Sequence, residues 1–310
     1  MTNAPIALVA GGSRGLGLLI SRELLRRGHH VVICARDADE LARAVEQLGG
    51  RDVESRVCDV RDRAAVGSLV ADVEESVGPI DTVITVAGII QTGPVESMTF
   101  EHFEDAIDTM TWGPVNVALT VLPAMRRRGR GHIGTVTSIG GMVAPPHLLP
   151  YATAKFGAVG FSDGLAAELH GTGVSATTIV PGLMRTGGHE RAYFVGAAEK
   201  EYAWFAPGAS MPLLSIDADR AATRIVDAVL AGKPMVVLTP LAWVGIRVRG
   251  LFPGTTTRLM GVFGRLLPSA PPGGGTETVV GREADRRLGS RVVRVLETLG
   301  TRAARRNNER

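Results

Sequence analysis

The chain has 310 residues, of which 45% are apolar and 21% are charged, and its formal net charge is +3. This length and composition suit a soluble globular chain with one large core, and they require no second domain. The sequence has no apolar run long enough to cross a bilayer and no basic and apolar leader at its start, so we expect a cytoplasmic protein.

The charge is unevenly distributed. Residues 241–310 hold thirteen arginines against five acidic residues, a net charge of +8, which leaves −5 for residues 1–240. We therefore predict a mildly acidic body and a basic C-terminal region, with no nucleic acid among its partners. Cys34 and Cys58 each end an apolar run, which indicates buried thiols rather than a disulfide or a metal pair.

The first elements are a strand, a glycine-rich loop and a helix. Residues 6–10 form an apolar run typical of a buried parallel strand, and the following helix is predicted to end at Arg27 and Gly28. Between them lie Gly11, Ser13, Arg14, Gly15, Leu16 and Gly17. Glycines let a backbone approach a pyrophosphate closely, and a helix N-terminus supplies free N–H groups. The loop is a candidate phosphate-binding loop, although glycines also simply make tight turns.

The second strand, predicted at 31–35, ends next to a basic side chain. An acidic residue at this strand end would bind the ribose hydroxyls of NAD, whereas a nearby arginine accommodates the 2′-phosphate of NADP. The sequence has Ala35 at this position, Arg36 beside it and Arg14 in the glycine loop. We therefore predict NADP(H), with the alternative that Arg36 is only a solvated surface charge. Asp37 and Glu40 are predicted to cap the next helix.

The remaining elements continue the alternation of strand and helix. Strands are predicted at 55–58, 82–86, 132–137, 175–180 and 235–239. Helices are predicted from after Val60 to Val77, at 99–128 with an interruption at Gly113 and Pro114, at 151–170 and at 217–231. Asp59 and Val60, Ala87 and Gly88, Ser138, and Pro181 and Gly182 follow successive strands. Since parallel strands deliver such residues to one crevice, we predict an α/β fold with a doubly wound parallel sheet, a single domain with a C-terminal extension.

Ser138, Tyr151 and Lys155 form a candidate catalytic set. Residues four apart lie on one helix face, so the Lys155 ammonium can sit beside the Tyr151 phenol and lower its pKa. Ser138 supplies a hydroxyl that could hold a substrate oxygen. The set could move a proton on and off a carbonyl oxygen, although a Tyr and a Lys four residues apart also occur by chance on helices.

Together these motifs resemble the classical short-chain dehydrogenase/reductase family over about residues 5–240. The resemblance rests on Gly11, Gly15, Gly17, Asp59, Ala87, Gly88, Ser138, Tyr151, Lys155, Pro181, Gly182 and Thr186. It implies a Rossmann fold that binds NAD(P)(H), with Ser138, Tyr151 and Lys155 as catalytic residues. The cofactor contacts that we expect are Gly11, Ser13, Arg14, Gly15, Leu16, Gly17, Arg36, Asp59, Val60, Ala87, Gly88, Tyr151, Lys155, Pro181, Gly182 and Thr186.

The resemblance also implies individual roles. Tyr151 would be the acid/base, while Lys155 would lower its pKa and hold the nicotinamide ribose. Ser138 would orient the carbonyl. Asp59 and Val60 would flank the adenine, and Thr186 would contact the carboxamide side of the nicotinamide.

Two family asparagines are missing. Val86 stands where the family has the asparagine of Asn-Ala-Gly, and Met110 stands at the asparagine position of the long helix. In the family, a relay water rests on the main-chain carbonyl at the second position. Pro114, four residues later, has no N–H to occupy that carbonyl, so we predict that Pro114 and Gly113 open the helix there. The alternative is a helix break without catalytic meaning.

The chain is predicted to have three parts. The domain boundaries are predicted as 1–240 for the catalytic domain, 241–268 for an amphipathic basic extension, and 269–310 for a linker and a basic tail. Residues 241–268 could lie on a membrane surface, cover an apolar patch of the body or form a dimer contact. Residues 282–310 are expected to form a loosely held basic helix or a disordered tail.

Five aromatic residues between 184 and 214 suggest a lipophilic or bulky substrate, or else ordinary core packing: Tyr193, Phe194, Tyr202, Trp204 and Phe205. His147 is given no role. We predict an NADP(H)-dependent oxidoreductase of an alcohol/carbonyl pair, and a homo-oligomer. The alternatives are a cofactor-binding scaffold with little turnover, and an epimerase or dehydratase.

Overall fold

The computed structural model describes residues 4–210 and 215–309. Its strands are β1 (Ile6–Ala10), β2 (His30–Ala35), β3 (Val53–Val57), β4 (Ile80–Thr85), β5 (Gln91–Thr92), β6 (Gly131–Val136), β7 (Val174–Val180), β8 (Leu183–Arg185), β9 (Tyr193–Val195), β10 (Ser215–Asp217), β11 (Met235–Val237) and β12 (Thr278–Val280). Its α-helices are α1 (Gly15–Arg26), α2 (Ala38–Gln47), α3 (Arg63–Ser76), α4 (Phe100–Ile107), α5 (Gly113–Arg128), α6 (Leu149–Glu168), α7 (Ala198–Ser210), α8 (Ala218–Leu230), α9 (Pro240–Leu251), α10 (Pro253–Gly264), α11 (Gly281–Leu288), α12 (Arg291–Leu296) and α13 (Thr298–Arg306).

The main sheet confirms the predicted doubly wound architecture. Within the described residues it has seven strands in the order β11-β7-β6-β4-β1-β2-β3, and all neighbours are parallel. The order reverses direction at β1, since β2 lies on one side of it and β4 on the other. This reversal opens a crevice at the carboxyl ends of β1 and β4, which is where such sheets bind ligands.

Side chains alternate along the central strands and fill a core on each face of the sheet. Leu8 and Val32 pack with apolar residues of α3, α5 and α6, whereas Val9 and Ile33 pack with α1, α2 and α8. The period of two in a strand sends neighbouring residues to opposite faces, so a continuous apolar run is buried on both sides. Cys34 and Cys58 are free thiols, buried in the first of these cores.

The C-terminal residues are ordered against the body instead of being loosely held. Strand β12 pairs antiparallel with β9, and helices α11, α12 and α13 pack against α7. The Tyr202 hydroxyl donates a 2.6 Å hydrogen bond to Glu297, and both side chains are buried. The expectation of a loose or disordered tail is therefore wrong for residues 282–309. A buried polar pair and an apolar cluster with Phe194 and Val279 hold this region, and charge composition does not reveal either.

Helices α9 and α10 form a hairpin whose apolar residues mostly face outward. The exposed large apolar side chains in and next to this hairpin are Leu241, Trp243, Val244, Val248, Leu251, Phe252, Leu259, Val262, Phe263 and Leu266. Gly245 approaches Ile139 and Val143, and Gly264 approaches Pro146, so the hairpin rests on the body by a narrow contact. Among the described residues, no helix is long and apolar enough to cross a membrane.

Candidate active site

The glycine loop is built by close backbone packing between β1, α1 and the turn after β4. Gly11 has φ +90°, and a Cβ there would lie 2.5 Å from the Ala87 nitrogen. A Cβ at Gly17 would overlap the Gly11 carbonyl oxygen. Only glycine fits at these two positions, because a side chain would push the loop away from α1 and from the sheet. The loop therefore presents main-chain N–H groups at the α1 N-terminus, which suits an anion.

One cavity of about 980 Å³ contains all the site residues predicted from the sequence. Its lining includes Gly11, Ser13, Arg14, Gly15, Leu16, Gly17, Arg36, Asp59, Val60, Ala87, Gly88, Ser138, Tyr151, Lys155, Pro181, Gly182 and Thr186. The glycine loop, the N-terminus of α1 and the polar set at the far end of the same cavity fit a dinucleotide. Their individual roles stay predictions.

Ser138, Tyr151 and Lys155 meet where β6 and α6 approach each other. The Lys155 ammonium donates a 2.8 Å hydrogen bond to the Val136 carbonyl oxygen and lies 5.9 Å from the centroid of the Tyr151 ring. Burial lowers the pKa of Lys155 to about 8. The hydroxyl of Ser138 accepts a 3.0 Å hydrogen bond from the Gly140 N–H, which fixes the serine at the end of β6.

The pKa of Tyr151 differs in direction from the sequence-based expectation. Burial raises the pKa of the phenol, and its hydrogen bond with Ser138 lowers the pKa only in part. Lys155 does not outweigh this effect of burial, because its ammonium is directed at the Val136 carbonyl oxygen. The phenol is therefore protonated at neutral pH.

The other end of the cavity carries charged side chains of both signs, and several of them already have protein partners. Arg36 is exposed and makes no side-chain hydrogen bond or ion pair within the described residues, so it is available to a ligand. Asp59 pairs with Arg61 at 2.7 Å, and the Asn116 amide donates to the Val60 carbonyl oxygen at 3.0 Å. These contacts fix the turn after β3.

Arg14 is already paired, which sequence reasoning missed. Its guanidinium lies 3.2 Å from one carboxylate oxygen of Glu40 and 3.7 Å from the Glu309 carboxylate. Glu40 also accepts from Arg191 at 2.7 Å. Asp37 caps α2 as predicted, since its side chain accepts from the Glu40 N–H, but the Glu40 carboxylate itself points to the arginines. A sequence pattern for a helix cap gives no sign of this second role.

A family model described as short chain dehydrogenase matches residues 5–193. That match covers more than half of the chain. This protein belongs to the short-chain dehydrogenase/reductase family. Members of the family bind a nicotinamide cofactor and catalyse redox reactions between alcohols and carbonyl compounds.

Individual relatives of this short-chain dehydrogenase/reductase include both reductases and dehydrogenases. A Streptomyces coelicolor protein named as a ketoacyl reductase is 35% identical over 188 residues, which cover 59% of this chain and 72% of the relative. The 2,3-dihydro-2,3-dihydroxybenzoate dehydrogenase of Bacillus subtilis is 31% identical over 183 residues, 58% of this chain and 70% of that protein.

Solved structures extend the similarity beyond the sequence match. A short-chain dehydrogenase from Streptomyces avermitilis has a TM-score of 0.73 and 27% identity, and the match covers 84% of this chain and 97% of that one. A variant of actinorhodin polyketide ketoreductase, crystallised with NADPH, has a TM-score of 0.67 and 28% identity, and the match covers 78% and 98% of the two chains.

The long helix departs from regular geometry at the position of the missing family asparagine. Residues Asp108–Trp112 form a π-helix between α4 and α5, and the Gly113 N–H donates to the Asp108 oxygen, five residues earlier. Pro114 is the second residue of α5 and has no N–H to donate to the Met110 oxygen. The predicted opening of the helix beside Gly113 and Pro114 is therefore present, as a π-turn.

The second departure from the short-chain dehydrogenase/reductase pattern is compensated by main-chain bonds. Val86 and Ala87 donate their N–H groups to the Ala10 carbonyl oxygen at 2.7 and 3.0 Å. The turn after β4 is thus tied to β1 without an asparagine side chain. The side chain of Val86 packs against an apolar core instead.

The substrate side of the cavity is apolar. Of the five aromatic residues between 184 and 214, some line this cavity and others pack in the core. Tyr193, Trp204 and Phe205 line the cavity, as one reading predicted, whereas Phe194 and Tyr202 are fully buried core residues, as the other predicted. The end of that segment, residues 211–214, lies outside the described residues.

Two features of this side were not anticipated from the sequence. Phe263 of α10 also lines the cavity, because the hairpin leans over its mouth. His147 has φ +63° and bonds the buried Glu201 carboxylate at 2.8 Å, and Glu201 also accepts from the Trp204 indole at 2.7 Å. This pair holds the Trp204 ring in place, so His147 supports the cavity wall.

Proposed function

We propose that this protein is an NADP(H)-dependent oxidoreductase that interconverts an alcohol and a lipophilic carbonyl compound, with Tyr151 as the acid/base. The observation that carries the proposal is the meeting of Ser138, Tyr151 and Lys155 in one cavity with the glycine loop. Family membership supports the reaction class.

A nicotinamide bound in this cavity supplies or accepts the hydride. The Ser138 hydroxyl holds the substrate oxygen beside the Tyr151 phenol. The phenol donates its proton to that oxygen during reduction, and the raised pKa of Tyr151 keeps the proton available at neutral pH. Lys155, fixed by Val136, stabilises the phenolate that remains.

The preference for NADP(H) rests on the strand end after β2. Ala35 places no carboxylate there to repel a 2′-phosphate, and Arg36 is exposed at the cavity rim. A charge-assisted hydrogen bond from Arg36 would contribute about 1.5–3 kcal/mol to binding. The similarity to a ketoreductase crystallised with NADPH supports the same choice.

The substrate class follows from the cavity walls. Leu148, Trp204, Phe205 and Phe263 present apolar surface beside the catalytic set. Such walls favour a bulky apolar carbonyl compound over a small polar one, because burial of apolar surface supplies the binding energy. The similarity to ketoacyl reductases is consistent with a carbonyl on an extended carbon chain.

The direct test is NADPH consumption with a panel of ketones, aldehydes, quinones and steroids, together with dissociation constants for NADPH and NADH. We expect turnover with apolar substrates and tighter binding of NADPH, and an Arg36→Ala variant should lose most of that preference. Equal or stronger binding of NADH would contradict the NADP(H) assignment. Cofactor binding without turnover on the panel would favour the scaffold alternative.

We also propose that the α9–α10 hairpin contacts an anionic membrane surface. Its exposed apolar side chains are accompanied by arginines, and residues 228–276 contain no Asp or Glu but carry Lys233 and four arginines. Apolar insertion and attraction to anionic headgroups act together on such a surface. Because Phe263 reaches the cavity, the contact would place the cavity mouth near membrane-dissolved substrates.

Vesicle co-sedimentation tests the membrane contact. We expect binding to vesicles with anionic lipid that falls with rising salt, and loss of binding in the Leu251→Asp and Leu266→Asp variants. Phe100→Asp is the matched control, since Phe100 is 84% exposed but lies on α4. A dimer that dissociates in the hairpin variants, without vesicle binding, would assign this face to a second copy of the chain. The cytoplasmic location and the homo-oligomeric state stay predictions.

A further inference from the structure

The last residues of the described chain lie directly on the glycine loop. The Gly15 N–H donates to the Asn307 carbonyl oxygen at 2.8 Å, and the Asn308 amide donates to the Ser13 carbonyl oxygen at 2.8 Å. Glu309 lines the cavity, 3.7 Å from the Arg14 guanidinium. The chain's own C-terminal segment thus occupies the edge of the site that holds phosphate groups in this fold.

Specific hydrogen bonds hold the C-terminal segment against the glycine loop. The side chain of Asn308 donates to Ser13 and Glu40 carbonyl oxygens and accepts from Arg43 at 3.2 Å, so its donor and acceptor groups are all used. Asn308 has φ +56°, a left-handed conformation that asparagine tolerates better than most residues. Asn307, Asn308 and Glu309 are all at least 94% buried.

A second set of contacts holds the segment from the opposite wall. Arg191 and Arg282 both donate to the Glu309 carbonyl oxygen, the first at 2.9 Å. The Asn307 amide donates to the Thr186 carbonyl oxygen at 3.3 Å. Ala304 of α13 fills the space where a side chain at Gly187 would be, so α13 can dock closely enough to deliver these residues.

The tail and a bound dinucleotide would use the same groups. A phosphate at the α1 N-terminus needs N–H groups of the glycine loop, and one of these, the Gly15 N–H, is bonded to Asn307. An anion next to Arg14 would meet the Glu309 carboxylate, which carries charge of the same sign. Both occupants cannot have the full set of contacts at once.

We infer that Asn307–Glu309 is an internal competitor for the phosphate end of the cofactor, so that cofactor affinity depends on release of the chain's own C-terminal segment. These residues lie outside the family-model match, which ends at residue 193. The inference rests on the proposed function for the identity of the cofactor. A segment docked in about 90% of molecules would weaken the apparent affinity about tenfold, since only the released fraction binds.

The test compares NADPH dissociation constants, measured by calorimetry, for the full chain and for a chain ending at Arg306. We expect the shortened chain to bind NADPH about tenfold more tightly. Asn308→Ala, which removes three side-chain hydrogen bonds, should change affinity in the same direction. Glu283→Ala is the control, because Glu283 lies half-buried on α11 and its side chain pairs only with Arg286 and Arg287 among the described residues.

Hydrogen exchange of the C-terminal peptide gives an independent readout. Saturating NADPH should speed exchange in residues 307–309 of the full chain if the cofactor displaces them. Unchanged or weaker NADPH affinity in the shortened chain, or protection of the peptide by NADPH, would overturn the inference. If neither chain binds NADPH or NADH, the proposed function fails first and the inference fails with it.

Discussion

The Lys155 ammonium is hydrogen-bonded to the Val136 carbonyl oxygen, 2.8 Å away, which links the middle of α6 to the last residue of β6. The contact fixes a cation beside Tyr151 in a place so buried that the pKa of Lys155 falls to about 8. Its charge is therefore lost as pH rises through about 8, whereas an ordinary lysine keeps its charge to about pH 10.4.

The first prediction is a fall in turnover as pH rises above about 8. The cationic form of Lys155 is present below its pKa of about 8 and disappears above it. The Tyr151 phenol, whose pKa is raised, stays protonated throughout this window, so it does not cause the fall. The measurement is kcat for carbonyl reduction between pH 6.5 and 9.5 on a substrate with a rate-limiting chemical step. A flat profile to pH 9.5 would contradict the assigned role.

The lowered pKa of Lys155 also predicts that the free energy of unfolding rises with pH, whereas turnover falls. Between about pH 8 and 10.4 the unfolded chain binds a proton on Lys155 that the folded chain has released, so this group makes stability rise with pH across that window. Denaturant unfolding of the wild type and of Lys155→Met, which removes the titration, isolates the contribution.

The second prediction concerns Tyr151→Phe. Removal of the phenol oxygen abolishes the proton donor, and general acid catalysis contributes roughly 10²–10⁴-fold, so kcat should fall by about that factor. The ring still fills its place against Met110 and Ala154, so the fold and NADPH affinity should change little. Tyr193→Phe is the control, because Tyr193 lines the same cavity outside the catalytic set. A Tyr151→Phe variant with more than a tenth of wild-type turnover would exclude the phenol as the acid.

The sheet and the catalytic set could be predicted because their signals are local. The apolar run of β1, the glycine loop and the four-residue spacing of Tyr151 and Lys155 each depend on residues close together in the sequence. The strand bounds accordingly agree within about two residues. The pKa of Tyr151 was predicted in the wrong direction because it depends on burial and on where the Lys155 side chain turns, and neither is visible in spacing.

The contacts of the C-terminal segment could not be predicted, because they join residues that are far apart in the sequence. Asn308 and Ser13 are 295 residues apart, and no periodicity or motif joins them. The excess of arginine suggested a solvated tail, whereas Arg282 and Arg191 converge on the carbonyl oxygen of one buried residue. The composition gives the number of charged residues, but it does not indicate which of them are in contact in the folded chain.

The third prediction is that NADPH affinity depends on pH through Glu309. Burial raises the pKa of the Glu309 carboxyl to about 7. The nearby Glu40 and Glu190 also raise this pKa, whereas Arg14 and Arg191 lower it. The released carboxyl titrates near about 4.3, so docking is strongest at low pH and weakens as pH rises through about 7. From pH 6 to 8 docking should weaken about tenfold, and NADPH should bind correspondingly more tightly.

Glu309→Gln separates this effect from other titrations. A glutamine mimics the neutral acid, so the variant should stay docked at both pH values and keep the weak NADPH affinity of the wild type at pH 6. The comparison is the ratio of dissociation constants of the two proteins at each pH, since titration of the cofactor itself cancels in that ratio. A ratio that does not change with pH would contradict the role of Glu309.

The last prediction concerns the π-turn at Asp108–Trp112 and the proline that follows it. Thr111 of this turn donates its hydroxyl to the Ala154 carbonyl oxygen at 2.8 Å, between Tyr151 and Lys155 of α6. The π-turn is therefore in direct contact with the turn of α6 that carries Tyr151 and Lys155. Pro114 leaves the Met110 oxygen without the N–H that would close a regular helix, which favours an open carbonyl there.

Pro114→Ala supplies the missing N–H and should favour a regular helix. If the Met110 carbonyl supports the water that returns a proton to Tyr151, kcat should fall at least about tenfold, a part of the roughly 10²–10⁴-fold that proton transfer contributes. The solvent isotope effect on kcat should rise, while NADPH affinity and KM should stay within about twofold, because neither ligand needs that carbonyl. Met110→Asn is not a suitable mimic of the family residue, since Met110 is 1% exposed and an amide there would be buried in an apolar cluster.

Pro123→Ala is the matched control for this experiment, because Pro123 lies inside the same helix α5, away from the π-turn. Both substitutions replace a proline of α5 by alanine, and Pro123→Ala, in the helix interior, is expected to change helix propensity at least as much as Pro114→Ala. Together they separate a general change in α5 from a local one at Met110. Loss of turnover in Pro114→Ala alone would assign the π-turn to the proton path. Wild-type turnover and an unchanged isotope effect in a folded Pro114→Ala protein would show that the helix break has no catalytic role.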